Sequence, residues 1–268
     1  MITKDEVEKL IKIINSVSIE LCKAQSSKKF TISDKKDNSP LTSADLMAND
    51  IICNNLKKLF PQIPIISEEN LSSSDIKLPL FWCIDPLDGT REFISNSDEF
   101  SVNIALIENF KPIFGIVSIP KKQEIYYALS GIGAYCLSGN VKTKLSTKTL
   151  NYQKIKVAIS KSHSNQMTSN FINLFKNSIQ YPLGSSLKLI NIACGLVDIY
   201  PRFGSTSIWD ISAAHIILKE SGGFVLDLKT NKELVYDSSS LINNYFFAIS
   251  KSEYIDFFKP YLSRVLDF

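Results

Sequence analysis

Long apolar runs are missing from this sequence. No segment approaches the roughly 18 consecutive apolar residues that a membrane-spanning helix needs. The opening residues, MITKDEVEKL, lack the apolar stretch of a secretory signal, so a cytoplasmic location is expected. Cysteine is sparse: Cys22, Cys53, Cys83, Cys136 and Cys194 are odd in number, widely spaced and form no C-x-x-C pair. That pattern argues against a disulfide framework or a zinc site, and points to buried reduced thiols. Arginine is scarcer still. Arg91, Arg202 and Arg264 are the only three, and the lysines are scattered, so there is no basic stripe for a nucleic-acid polymer. A net charge of +3 with 44% hydrophobic and 21% charged residues excludes disordered, collagen-like and coiled-coil chains. At 268 residues the chain makes one large domain or two small ones, with a core that needs no staples.

What is present divides into two rhythms. Val7, Leu10, Ile11, Ile14, Val17 and Leu21 recur at helical spacing and predict a helix over 4–24. Residues 25–40 are rich in lysine and serine and predict a loop, with a weak hairpin at most. A second helix is expected from Leu41-Thr42-Ser43-Ala44-Asp45 to about Phe60, before Pro61. Strand-like runs follow at 63–67, 80–84, 100–106, 112–119 and 124–129, the pattern of an antiparallel meander. Beyond a Ser/Thr/Lys-rich stretch at 136–153, strands and helices alternate: strands at 154–159, 196–200 and 224–228, helices at 165–177, 185–194 and 209–220. The expected division is therefore an α+β portion over 1–145 and an α/β portion over 146–268.

Four short acidic segments carry the chemical information. They are Thr42-Ser43-Ala44-Asp45, Ser67-Glu68-Glu69, Asp85-Pro86-Leu87-Asp88-Gly89-Thr90 and Ile208-Trp209-Asp210. Singly each has a plain structural reading. Thr42-x-x-Asp45 and Ser207-x-x-Asp210 fit helix capping boxes, and Asp85-Pro86 and Asp88-Gly89 fit turns. Together they place carboxylates at strand ends, where open sheets hold ligands. Asp85 and Asp88, three apart across a proline-containing turn, can aim with the Leu87 carbonyl at one point. Such a cluster stays ionised only beside cations, and all-oxygen donors favour Mg²⁺ or Mn²⁺. Gly89-Thr90 can offer backbone N–H groups to a phosphate, and metal-binding carboxylates beside a phosphate cradle imply phosphoryl transfer to water.

The order Asp45, Glu68-Glu69, DPLDGT at 85–90 and Trp209-Asp210 resembles the inositol monophosphatase superfamily, Mg²⁺-dependent and lithium-sensitive phosphatases of small molecules. The likeness runs from about residue 4 to about residue 250. Arg91-Glu92-Phe93-Ile94, Ile159-Ser160-Lys161-Ser162-His163-Ser164, Gly184-Ser185-Ser186-Leu187-Lys188 and Tyr200-Pro201-Arg202-Phe203-Gly204 are similar to its 3′(2′),5′-bisphosphate nucleotidase branch. The resemblance implies a layered α-β-α-β-α sandwich of the sugar-phosphatase type, with an antiparallel N-terminal sheet and a mixed C-terminal one. It implies Glu68, Asp85, the Leu87 carbonyl, Asp88 and Asp210 as ligands for two or three Mg²⁺, with Mn²⁺ as a substitute and Li⁺ as an inhibitor. Asp45 and Thr90 correspond to the pair that activates water. Gly89, Thr90, Ser160, His163, Gly184, Lys188 and Arg202 correspond to substrate contacts, Lys188 and Arg202 gripping a 5′-phosphate. The implied substrate is adenosine 3′,5′-bisphosphate, with its 5′-phosphosulfate relative as a further candidate, a small nucleotide and not a nucleic-acid polymer. An inositol or sugar phosphatase, and a non-catalytic nucleotide sensor, are the alternatives. Some relatives associate peripherally with the inner membrane, although no amphipathic anchor is evident here; the oligomeric state is left open.

Overall fold

The structure is a computed structural model and describes residues 2–35, 39–70, 78–161 and 165–266. It opens with α1 (Lys4–Ser27), whose Thr3 cap exchanges hydrogen bonds with Glu6. A hairpin of β1 (Ile32–Asp34) and β2 (Pro40–Thr42) leads into α2 (Ser43–Leu59). The strands β3 (Ile65–Ser67) and β4 (Leu80–Asp88) follow, then the short α3 (Thr90–Ile94). Next come β5 (Ser101–Glu108), β6 (Lys111–Ile119), β7 (Glu124–Leu129), β8 (Gly133–Ser138) and β9 (Val141–Lys144).

The second half holds β10 (Lys156–Ser160), α4 (Gln166–Asn173), β11 (Ile179–Leu183), α5 (Leu187–Ala193) and β12 (Ile199–Arg202). It ends with α6 (Ile208–Glu220), β13 (Phe224–Asp227), β14 (Lys232–Glu233), β15 (Phe246–Ile249) and α7 (Ile255–Leu262).

Strands β3 to β9 form one sheet in sequence order, antiparallel except for the parallel pair β3–β4. The other sheet runs β11-β10-β12-β15-β13-β14, parallel across β11-β10-β12 and antiparallel beyond. Alternation along a strand sends successive side chains to opposite faces. In β4, Trp82 and Ile84 pack beneath α1 and α2, while Phe81 and Cys83 face α5 and α6. The second sheet packs Ala158, Tyr200 and Phe246 against α5 and α6, and sends Val157, Ile199 and Phe247 toward α4 and α7. The order of layers is therefore α-β-α-β-α, as the resemblance implied.

Helix α6 is the central layer and is buried nearly all round. It lies directly on β6 because Gly115 has no side chain: a Cβ there would fall 2.4 Å from the Ala213 carbonyl oxygen. Three half-buried thiols, Cys22, Cys136 and Cys194, depart from the expectation that all five would be buried; the five are free. No helix among the described residues is long and apolar enough to cross a membrane.

Candidate active site

The parallel pairing of β3 with β4 sets Ser67 beside Ile84. The next residues, Glu68 and Asp85, therefore leave the same sheet end together. The expected turn at Asp85-Pro86 is instead a bulge within β4. Asp85 faces Asn103 and Asp88 faces Ser101, so β4 carries one residue more than its partner across that interval. Proline fits a bulge because it donates no ladder hydrogen bond there. The bulge brings Asp85 and Asp88 to the same wall, and the Leu87 amide closes onto Asp85 Oδ1 at 3.1 Å. Gly89 then takes a left-handed φ of +90°, a conformation L side chains resist, and α3 begins.

Asp210 reaches this wall from the first turn of α6. Its Oδ2 accepts the Ser207 amide at 2.8 Å, so the capping box is real and Oδ1 is the oxygen left over. Asp45 likewise does two things. Its Oδ2 accepts the Thr42 amide and hydroxyl at 2.8 and 2.5 Å, capping α2. Its Oδ1 lies 3.0 Å from the Thr90 hydroxyl.

These elements enclose a cavity of about 390 Å³. Glu68, Asp85, Leu87, Asp88 and Asp210 line it, with Gly89 and Thr90, and so do Ser160, Gly184, Lys188 and Arg202. Asp45 does not line it; 1% exposed, it stands behind Thr90. His163 lies outside the described residues.

The acidic wall is electrostatically incomplete. Burial, then repulsion from Glu68, Asp88 and Asp210, pushes the Asp85 carboxyl far above the usual range. Burial and the neighbouring Asp88 and Glu68 raise Asp210 as well. Burial also raises Glu68 and takes Glu69 up to about 7, although Lys35 opposes both. Lys35 Nζ lies 2.5 Å from Glu68 Oε1 and 2.7 Å from Glu69 Oε1. Glu68 is held toward this lysine, and among the described residues no three acidic, thiol or imidazole groups enclose an ion. Hard oxygen donors, buried together with one ammonium between them, fit divalent cations as counter-charges.

The same cavity also carries basic groups. Lys188 is 9% exposed, and burial draws its amine down to about 8. The ammonium donates to the Leu183 and Ser185 carbonyls and sits 5.7 Å over the Tyr200 ring. Arg202 Nη2 donates to the Ser205 carbonyl at 2.6 Å, while its buried Nε meets no acceptor among the described residues.

Lys35, Ser101 and Ser185 were not singled out by sequence reasoning. Lys35 sits in a lysine-rich stretch without a motif. Ser185 has a left-handed φ of +48°, which costs a non-glycine residue about 1–2 kcal/mol and leaves no mark in the sequence.

The inositol monophosphatase family model matches residues 3–254. The chain belongs to the inositol monophosphatase family. Within it, the chain is 38% identical over 251 residues to the 3′(2′),5′-bisphosphate nucleotidase CysQ of Buchnera aphidicola, covering 90% of this chain and 92% of that one. It is 36% identical over 202 residues to the protein of the same name from Escherichia coli K12, covering 75% and 81%. The crystal structure of CysQ from Bacteroides thetaiotaomicron superposes with a TM-score of 0.77 at 30% identity, over 90% of this chain and 96% of that one. A Thermotoga maritima IMPase superposes with a TM-score of 0.81 at 25% identity, over 98% of each. The family is metal-dependent.

Proposed function

We propose that this chain is a 3′(2′),5′-bisphosphate nucleotidase that hydrolyses the 3′-phosphate of adenosine 3′,5′-bisphosphate to give AMP and phosphate. One observation carries the reading: a single cavity is lined both by a carboxylate cluster suited to cations and by Lys188 and Arg202. A monophosphate needs the carboxylate cluster only. A substrate with two phosphates uses both. The relatives named as nucleotidases support that choice of substrate. Lys188 and Arg202 read charge and not the terminal group, so the 5′-phosphosulfate relative fits the same reading.

Glu68, Asp85, the Leu87 carbonyl, Asp88 and Asp210 would hold Mg²⁺. When bound, the metal neutralises these carboxylates and acts as a Lewis acid on the phosphate and the attacking water. The chain's own residues do the rest. Thr90 Oγ1 donates to Asp45 Oδ1 at 3.0 Å, with the Leu87 carbonyl at 3.3 Å as a second acceptor, so it can accept a hydrogen bond from water and relay the proton to Asp45. Burial raises the Asp45 carboxyl above its ordinary value against the hydrogen bonds from Thr42, which makes it a better proton acceptor. The water oxygen bonds to phosphorus as the bond to the ribose 3′-oxygen breaks, and that oxygen leaves with a proton from solvent. Lys188 and the Arg202 guanidinium, both lining the cavity, hold the 5′-phosphate, Arg202 through its planar guanidinium and Lys188 as a point charge.

The identity of the product tests this reading. Chromatography of the reaction on adenosine 3′,5′-bisphosphate should show 5′-AMP. Release of 3′-AMP would reverse the proposed orientation, and no turnover with turnover of inositol 1-phosphate would replace the substrate.

A further inference from the structure

Asp88 is held from the opposite half of the molecule. Its Oδ2 accepts the Ser185 hydroxyl at 2.7 Å, with the Ser186 and Ser101 hydroxyl oxygens farther off at 3.3 and 3.4 Å. Its Oδ1 carries none of these contacts. Ser101 lies on β5, beside Asp88 in the same sheet, but Ser185 and Ser186 belong to the turn between β11 and α5.

That turn is itself tightly specified. Ser185 has φ +48°, its oxygen accepts the Ser186 amide at 2.6 Å, and it also touches the Ser101 hydroxyl. The buried Lys188 ammonium donates to the Ser185 carbonyl from behind. The Ser186 hydroxyl donates to the Asp210 main-chain carbonyl at 2.9 Å, which ties the turn to the first turn of α6 as well. A strained serine persists only where its surroundings over-determine it, and here the surroundings point its hydroxyl at Asp88.

We infer that Ser185 is a positioning residue for metal binding. By clamping Oδ2 it fixes the Asp88 carboxylate with Oδ1 presented to the cation, and it makes cation affinity depend on the docking of the C-terminal half against β4. The inference rests on Asp88 being a metal ligand. Hydrogen bonds to a ligating carboxylate set its orientation, and their loss weakens metal sites by about 10–100-fold. The more distant Ser101 and Ser186 hydroxyls can compensate in part, so the lower end is expected.

Substitution with glycine separates the hydroxyl from the backbone, because glycine adopts φ +48° without strain. Calorimetric titration with Mn²⁺ is the readout, alongside the melting temperature of the metal-free protein. Ser185→Gly should melt at or above the wild-type temperature and bind Mn²⁺ about tenfold more weakly. Wild-type Mn²⁺ affinity in Ser185→Gly, with affinity lost in Asp88→Asn, would overturn the positioning role and leave the ligand intact. Wild-type affinity in Asp88→Asn would overturn the inference by removing its premise. If Ser185→Gly does not fold, Ser101→Ala is titrated in its place: a fall of about threefold supports the clamp, and an unchanged affinity overturns it.

Discussion

Lys35 Nζ stands 2.5 Å from Glu68 Oε1 and 2.7 Å from Glu69 Oε1, a lysine from the β1–β2 hairpin acting as counter-ion to two carboxylates at the end of β3. Burial alone would pull its amine down, but Glu68 and Glu69 hold it above the ordinary lysine value. The pair is partly shielded from solvent, so it outweighs an exposed ion pair. Lys35→Gln should lower the metal-free melting temperature by roughly 2–4 °C, the effect of about 1 kcal/mol in a chain of this size. Saturating Mg²⁺ should close that gap, since a cation neutralises the same carboxylates. A gap that persists unchanged in Mg²⁺ would place Lys35 outside the cation site.

The Thr90 hydroxyl links the cavity to Asp45 behind it. Thr90→Ala should lower kcat by about 10²–10⁴, the span of general acid–base assistance, with little change in KM. Thr90→Ser keeps the hydroxyl and should recover most of the rate. Equal loss in both variants would remove the hydroxyl from the proton path.

The basic groups of the cavity make a prediction about selectivity. Arg202→Lys should raise KM for adenosine 3′,5′-bisphosphate by about tenfold or more, because an ammonium cannot reproduce the two-pronged grip of a guanidinium on phosphate. Turnover of a simple phosphomonoester should change little. Parallel loss on both substrates would show that Arg202 supports the fold and not the second phosphate.

Acid should destabilise the protein through α6. His215 is fully buried, with Nδ1 2.8 Å from the Tyr236 hydroxyl and Glu233 and Lys219 near its other nitrogen. Burial depresses its pKa below the ordinary value, so the unfolded chain binds a proton that the folded one does not. Stability should fall as pH drops through about 6.5. Glu233, held down to about 2 by His215 and then Lys219 against burial, adds a second loss between about 4.5 and 2. Melting temperatures between pH 7.5 and 5.5 should slope less in His215→Gln. An unchanged slope would assign the acid sensitivity elsewhere.

The carboxylates were legible because their information is local. DPLDGT and the two capping boxes lie within a few residues each, and spacing alone puts them at element ends. Sequence reasoning missed the short β8, β9 and β14, and three further elements that broke a local rule for a tertiary reason. Pro182 disguised β11, which tolerates it as an edge strand; the unbroken run Phe246–Ile249 hid β15, which is central and covered on both faces; Pro260 masked α7, where it sits near the helix end. The roles of Lys35 and Ser185 were hidden for a different reason. One joins the site from a hairpin more than thirty residues upstream of its partners, and the other acts through a backbone angle.

The most direct measurement is phosphate release in Mg²⁺ from adenosine 3′,5′-bisphosphate and from inositol 1-phosphate, by the wild type and by Asp88→Asn. Preference for the nucleotide, with at least a hundredfold loss in Asp88→Asn, is the expected result. Preference for inositol 1-phosphate, or full activity in Asp88→Asn, would contradict it, and a folded protein that binds the nucleotide without releasing phosphate would make it a sensor.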